Sequence, residues 1–174
     1  GLDELYEQMR ARNLMDLRSR AGKAGGGFCD VLPDFGLPFI YANFDGTMSD
    51  MLVFTPEMGH AFQMYASLDV PLVDYLIGTA DTCEVHSIGL ELLSWPQMRL
   101  FFGNDDAQRA CRTHLIDKLL FFPYGVAVDH FQHLVYANPC CSPHYRCQMW
   151  QEMERTYLPT RKWGDLAHPA SGRR

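Results

Sequence analysis

The sequence predicts a mainly α-helical chain with a small β-hairpin or sheet near its N-terminus. Three observations carry that expectation. From Ser49 onward the apolar residues keep helical spacing almost to the end. The only segments rich in β-forming residues are 28–32 and 38–44, both early. Glycine- or proline-bearing turns, residues 21–27 and 33–36, flank the first of them. At 174 residues, 47% apolar and 21% charged, the chain has the composition of one globular domain with a buried core.

Each element has its own signal. Leu2, Leu5, Tyr6, Met9, Leu14 and Leu17 predict an amphipathic helix over 2–20. Three consecutive glycines, 25–27, end it. Residues 28–32 form a short strand, 33–36 a turn and 38–44 the best strand in the chain. After a loop at 45–50, residues 51–66 read as one helix with a question at Pro56. A proline inside the helix removes a backbone donor and costs roughly 3 kcal/mol; alternatively Thr55 caps a helix that starts there. Residues 72–102 are helical, with breaks near Gly78 and at Pro96. Residues 105–136 form a long helix interrupted near Pro123-Tyr124-Gly125. A loop at 138–143 leads to a final helix, 144–157, stopped by Leu158-Pro159, and residues 160–174 form a loose tail.

Charge and hydropathy exclude several functions. The net charge is −6 and no basic run exceeds two residues (Arg161-Lys162, Arg173-Arg174), so no nucleic-acid partner is expected. No apolar run approaches the roughly 18–20 residues of a membrane helix. The acidic, helical start is no signal peptide, and the absence of an initial Met suggests a piece of a longer protein. Six cysteines without a secretory signal favour a reduced, cytoplasmic setting. A 13% aromatic share and nine Met suit a helical core, or a cleft accepting varied side chains.

The chemistry concentrates in Phe54-Thr-Pro-Glu-Met-Gly-His-Ala-Phe-Gln63. In the helical pattern H-E-x-x-H, two His four apart reach one zinc ion and the intervening Glu is the general base. Glu57 and His60 occupy the second and last positions, whereas Pro56 holds the first. E-x-x-H alone is common by chance. Its surroundings strengthen it, because small residues, Gly59 and Ala61, flank His60. Glu84 follows 24 positions later on a second helix, where gluzincins place their third ligand.

Further blocks extend the likeness. They are Gly-Lys-Ala-Gly-Gly-Gly-Phe-Cys at 22–29, Pro-Phe-Ile-Tyr-Ala-Asn-Phe-Asp-Gly-Thr at 38–47, and Glu-Val-His-Ser at 84–87. Ser-Trp-Pro-Gln-Met at 94–98, Pro-Tyr-Gly-Val-Ala-Val-Asp at 123–129, Gln-His-Leu-Val-Tyr at 132–136 and Tyr-Leu-Pro at 157–159 complete the set. In these blocks and their order, the chain resembles the oligoendopeptidase F family of zinc metallopeptidases, relatives of thimet oligopeptidase. The resemblance implies a zincin-like partial catalytic domain over 1–174 that hydrolyses short peptides inside a closed helical shell. It implies one zinc ion held by His60 and Glu84, with Glu57 as general base. Gly26, Gly27, Phe28, Ala42 and Asn43 would line the substrate cleft, where an edge strand could pair with a peptide backbone. His86 would be a neighbour of the metal helix or a packed surface residue.

Two departures weaken the implied activity. Proline cannot ligate zinc, so Pro56 leaves two protein ligands where catalytic sites keep three, and affinity should fall by orders of magnitude. The chain also ends at Arg174, ahead of the family's His- and Tyr-rich segment that stabilises the oxyanion, and the family's N-terminal helical part is absent. A non-catalytic relative, binding peptides or vestigial, is therefore the alternative, and Pro56→His separates the two. Elsewhere, Cys140, Cys141, His144 and Cys147 are better read as a cysteine-bearing loop than as a zinc knuckle. His130 and His133 suit packing or surface roles. Trp95, Trp150, Trp163 and the Phe101-Phe102 and Phe121-Phe122 pairs suit the core. The triple glycine lacks the spacing of a phosphate loop.

Overall fold

A computed structural model describes residues 1–162, so most of the expected tail, 163–174, lies outside the described residues. The chain is mainly α-helical with one three-stranded sheet near its start, as expected. It divides into two compact units, Gly1–Ala107 and the described residues from Gln108 onward.

In the first unit, helix α1 covers Leu2–Ala11, shorter than the helix expected over 2–20. Asn13 stops it. Its φ of +55° is left-handed, which Asn tolerates better than most side chains. The Leu14 amide then bonds the Met9 carbonyl (2.9 Å) and the Asn13 amide the Arg10 carbonyl (3.3 Å), a Schellman closure with Asn in the usual glycine position. Released from the helix, Met15–Arg18 becomes strand β1. Strands β2 (Phe28–Leu32) and β3 (Leu37–Phe44) form the expected hairpin. A 3₁₀ turn, Pro33–Phe35, joins them, and Gly36 closes it at a φ of +62°. Strand β3 is central. It pairs antiparallel with β2 and parallel with β1, and the β1 register slips between Asp16 and Arg18.

Helix α2 runs without a break over Met48–Ala66, capped by the Thr47 side chain, which accepts from the Ser49 amide. Pro56 therefore lies inside it and does not start it. The missing amide leaves the Leu52 carbonyl without its i+4 donor. One turn away, Thr55 Oγ1 donates to the Met51 carbonyl at 2.7 Å. The expected helical stretch 72–102 resolves into a 3₁₀ turn (Val73–Tyr75), helix α3 (Glu84–Leu93) and a second 3₁₀ segment (Trp95–Leu100), broken where Gly78 and Pro96 fall. Leu5 and Met9 of α1, Leu37 and Ile40 of β3, and Met58 and Ala61 of α2 form the core. Helix α2 thus packs on the sheet and on α3.

Helix α4 (Asn104–Ala137) passes straight through Pro123, so the expected interruption is absent. Helix α5 covers Pro143–Tyr157, with Ser142 as its cap. Ala127, Trp150 and Met153 form the core of the second unit, with Tyr124 and Phe131 edge-on to Trp150. Of the aromatic residues expected in the core, Trp150 is buried, whereas Phe101, Phe121 and Phe122 are 57%, 58% and 67% exposed. Trp163 lies outside the described residues.

Candidate active site

The site begins with how closely two helices approach. A Cβ placed on Gly59 would lie 2.5 Å from the His86 carbonyl oxygen and 2.7 Å from the Ser87 Cα. Only glycine lets α2 and α3 meet backbone to backbone here. The crossing brings His60 Nε2 within 3.4 Å of Glu84 Oε2. Two donors bound tetrahedrally to one zinc at roughly 2.05 Å stand roughly 3.3 Å apart, so this pair has the spacing of one edge of a zinc site. Ser87, fully buried one turn beyond Glu84, donates its hydroxyl to the same Oε2 and fixes that carboxylate. Its position three residues after Glu84 was the available sequence signal, and sequence reasoning missed it.

Glu57, one residue beyond Pro56, is half-buried. Burial raises its carboxyl pKa; Glu84 adds to this, while His60 and the Cys29 backbone oppose it. The glycine segment passes over this part of α2. A Cβ on Gly27 would meet Val53 Cγ1 at 2.9 Å and lie 3.8 Å from Glu57 Oε1. Phe28, half exposed, stacks on Tyr41 with ring centroids 5.1 Å apart. Gly27 thus stands directly at Glu57, with Gly26 and Phe28 beside it in the chain. Asn43 and Ala42 lie differently. The Asn43 carboxamide donates to the Ala24 and Gly26 carbonyls (2.8 and 2.9 Å). The Ala42 side chain is fully buried.

Position 56 offers no donor atom. His86 does not replace it. It sits two residues from Glu84, on another side of α3, and borders a groove of about 520 Å³ with Phe62, Gln63, Ala66 and Leu90. Among the described residues no three His, Cys, Asp or Glu side chains converge to hold a metal ion, the 140–147 cysteine segment included. All six cysteines are free thiols. His130 Nδ1 pairs with the Tyr157 hydroxyl at 3.0 Å, and exposed His133 lies 3.7 Å from Asp129. The donor set for a catalytic zinc is thus one ligand short.

The chain matches the family model described as Peptidase family M3 over residues 2–172. Among curated proteins, none matches it. Three solved structures do. A 3.1 Å X-ray structure named as an oligoendopeptidase F is 48% identical, with a TM-score of 0.87 over 94% of this chain. An oligoendopeptidase F from Bacillus anthracis str. Ames is 45% identical, with a TM-score of 0.84 over 90% of this chain. Pz peptidase A, solved with an inhibitor, is 45% identical, with a TM-score of 0.86 over 94% of this chain. In each case the match spans 29% of the other chain's length. A family match over nearly every residue, joined to the Glu57, His60 and Glu84 arrangement, means that the chain belongs to peptidase family M3.

Proposed function

We propose that this chain is part of the catalytic domain of a cytoplasmic zinc metalloendopeptidase of the oligopeptidase type, acting on short peptides. The observation that carries this reading is the 3.4 Å His60–Glu84 pair beside Glu57. His60 and Glu84 would hold the zinc ion, which would supply Lewis acidity when bound. The chain's own residues do the rest. Glu57, its basicity raised by burial, takes a proton from the attacking water and returns it to the leaving amine. The main chain at Gly26, Gly27 and Phe28 offers hydrogen bonds that any peptide backbone can use, which suits substrates of varied sequence. Six free thiols fit a reduced compartment. Among the described residues no helix is long and apolar enough to cross a membrane.

Pro56 favours a second reading, in which the wall and the base persist and turnover is lost. Structural zinc sites are worth roughly 10–16 kcal/mol over four ligands, or roughly 2.5–4 kcal/mol per ligand. One missing ligand therefore weakens binding roughly 10²–10³-fold. Zinc titration of the chain and of Pro56→His tests both readings. The expected result is weak zinc in the former and near-stoichiometric nitrogen- and oxygen-bound zinc in the latter. Sulfur-bound zinc, or no gain from Pro56→His, overturns the site.

A further inference from the structure

We propose that Lys23 is a positioning residue, whose buried ammonium pins the glycine segment 24–27 against α2 and so sets where a peptide main chain meets Glu57. This rests on the reading of that segment as the peptide-binding wall.

The lysine side chain is 1% exposed, rare for an ammonium unless it is fully partnered. It is. Nζ donates to the Asp16 carbonyl (2.9 Å), the Arg18 carbonyl (3.0 Å) and the Ala42 carbonyl. These three bonds use all three of its protons. The Asp16 carboxylate stands 3.2 Å away, and the Tyr41 ring covers the charge at 4.4 Å. The carbonyls come from β1 and β3 at the point where their register slips. Lys23 supplies donors where the strand ladder is irregular.

Packing does little to fix the residues just after Lys23. Gly25 and Gly26 have open space where a Cβ would be, so no side-chain packing locates them. Glycine also has the largest backbone freedom of any residue. Their position is set by anchors at the edges. The Ala24 carbonyl accepts from the Tyr41 hydroxyl (2.6 Å) and from Asn43 Nδ2 (2.8 Å), and the Gly26 carbonyl accepts from the same amide (2.9 Å). At the far end Gly27 presses on Val53 beside the Glu57 carboxylate. A displacement at Lys23 is therefore carried along four residues to the base. Lys23 touches neither a peptide nor the reacting atoms; it acts through the loop.

The test uses Lys23→Met, which keeps the stem and removes the ammonium, in the full chain. Amide hydrogen exchange is followed by NMR, and binding of an acetylated, amidated Ala-Leu octapeptide by calorimetry. Exchange at residues 24–28 is expected to rise at least tenfold with α2 and α3 unchanged, and the peptide Kd to weaken at least tenfold. Asn43→Asp, which turns both amide donors into acceptors, is expected to loosen the same residues. Unchanged exchange at 24–28, loosening spread evenly over the whole sheet, or equal peptide binding by Lys23→Met and the parent chain each overturns the proposal. If the parent chain binds no peptide while the exchange change stays local, the peptide-wall reading fails and the anchoring by Lys23 stands.

Discussion

Gly59→Ala is the sharpest perturbation available. The new methyl carbon would sit 2.5 Å from the His86 carbonyl oxygen and 2.7 Å from the Ser87 Cα, against ordinary contacts of 3.4 Å or more. Relief requires the helices to separate by about 1 Å, because both obstacles are backbone and cannot rotate away. Overpacking of this kind costs about 3 kcal/mol. Alanine returns about 1 kcal/mol of helix propensity, leaving a loss of about 2 kcal/mol. For a unit of this size that lowers Tm by roughly 8–16 °C. Gly89→Ala on α3 is the internal control. Nothing lies within 4 Å of its Cβ position, so the same substitution keeps only the propensity gain. It should raise Tm by roughly 4–8 °C. Thermal unfolding followed by far-ultraviolet circular dichroism measures both. A Gly59→Ala protein as stable as Gly89→Ala would refute the close-crossing argument, and with it the origin of the His60–Glu84 spacing.

Two titrating groups give further outcomes. Burial pushes the Cys29 thiol up to about 12, with Glu57 and Asp30 adding to it. Against an ordinary thiol near 8.5 this removes over 10³-fold of thiolate at pH 8, partly offset by greater nucleophilicity, so alkylation should be roughly 10²-fold slower. Iodoacetamide labelling read by mass spectrometry should modify exposed Cys140 well before Cys29; equal rates would contradict the burial. The Asp16 carboxyl is held down to about 2, first by its hydrogen bonds from Arg20 and then by Lys23, against opposition from burial. A depressed folded-state pKa stabilises above the unfolded value, so this contribution is complete above about pH 4 and vanishes as pH falls towards 2. Asp16→Asn should flatten acid unfolding in that window, and an unchanged profile would show that the pair adds nothing.

The hairpin was legible because aromatic and β-branched residues cluster there between turn formers, and pairing needed no distant information. Glu57 and His60 stood out in the sequence because Glu and His three apart share a helix face, and the structure sets Glu84 of α3 beside His60. The first helix was overextended because apolar residues recur through Leu14 and Leu17, although Leu14 stands roughly 140° from Met9 round a helix. Left-handed Asn13 stops the helix ahead of them, and Asn at such a position is a weaker signal than glycine. Pro123 misled in the other direction: α4 continues through it, as α2 does through Pro56. Lys23 could not be read at all. Its partners are main-chain carbonyls, and the register slip that exposes them has no residue signature.

Pro56 separates two properties that the metal motif normally joins. The His60–Glu84 spacing depends on the helix crossing, which is set by Gly59 against the His86 carbonyl and by Ser87 on Glu84. Neither contact involves residue 56. Helix α2 also stays continuous across the proline, which removes one backbone bond and leaves the scaffold intact. The glycine wall is held independently, from the sheet side, by Lys23, Tyr41 and Asn43. Glu57, the glycine segment and the His60–Glu84 pair therefore keep this arrangement with a proline at residue 56. On the proposed reading, Pro56→His supplies a third donor on an intact scaffold, and zinc titration of that variant tests it.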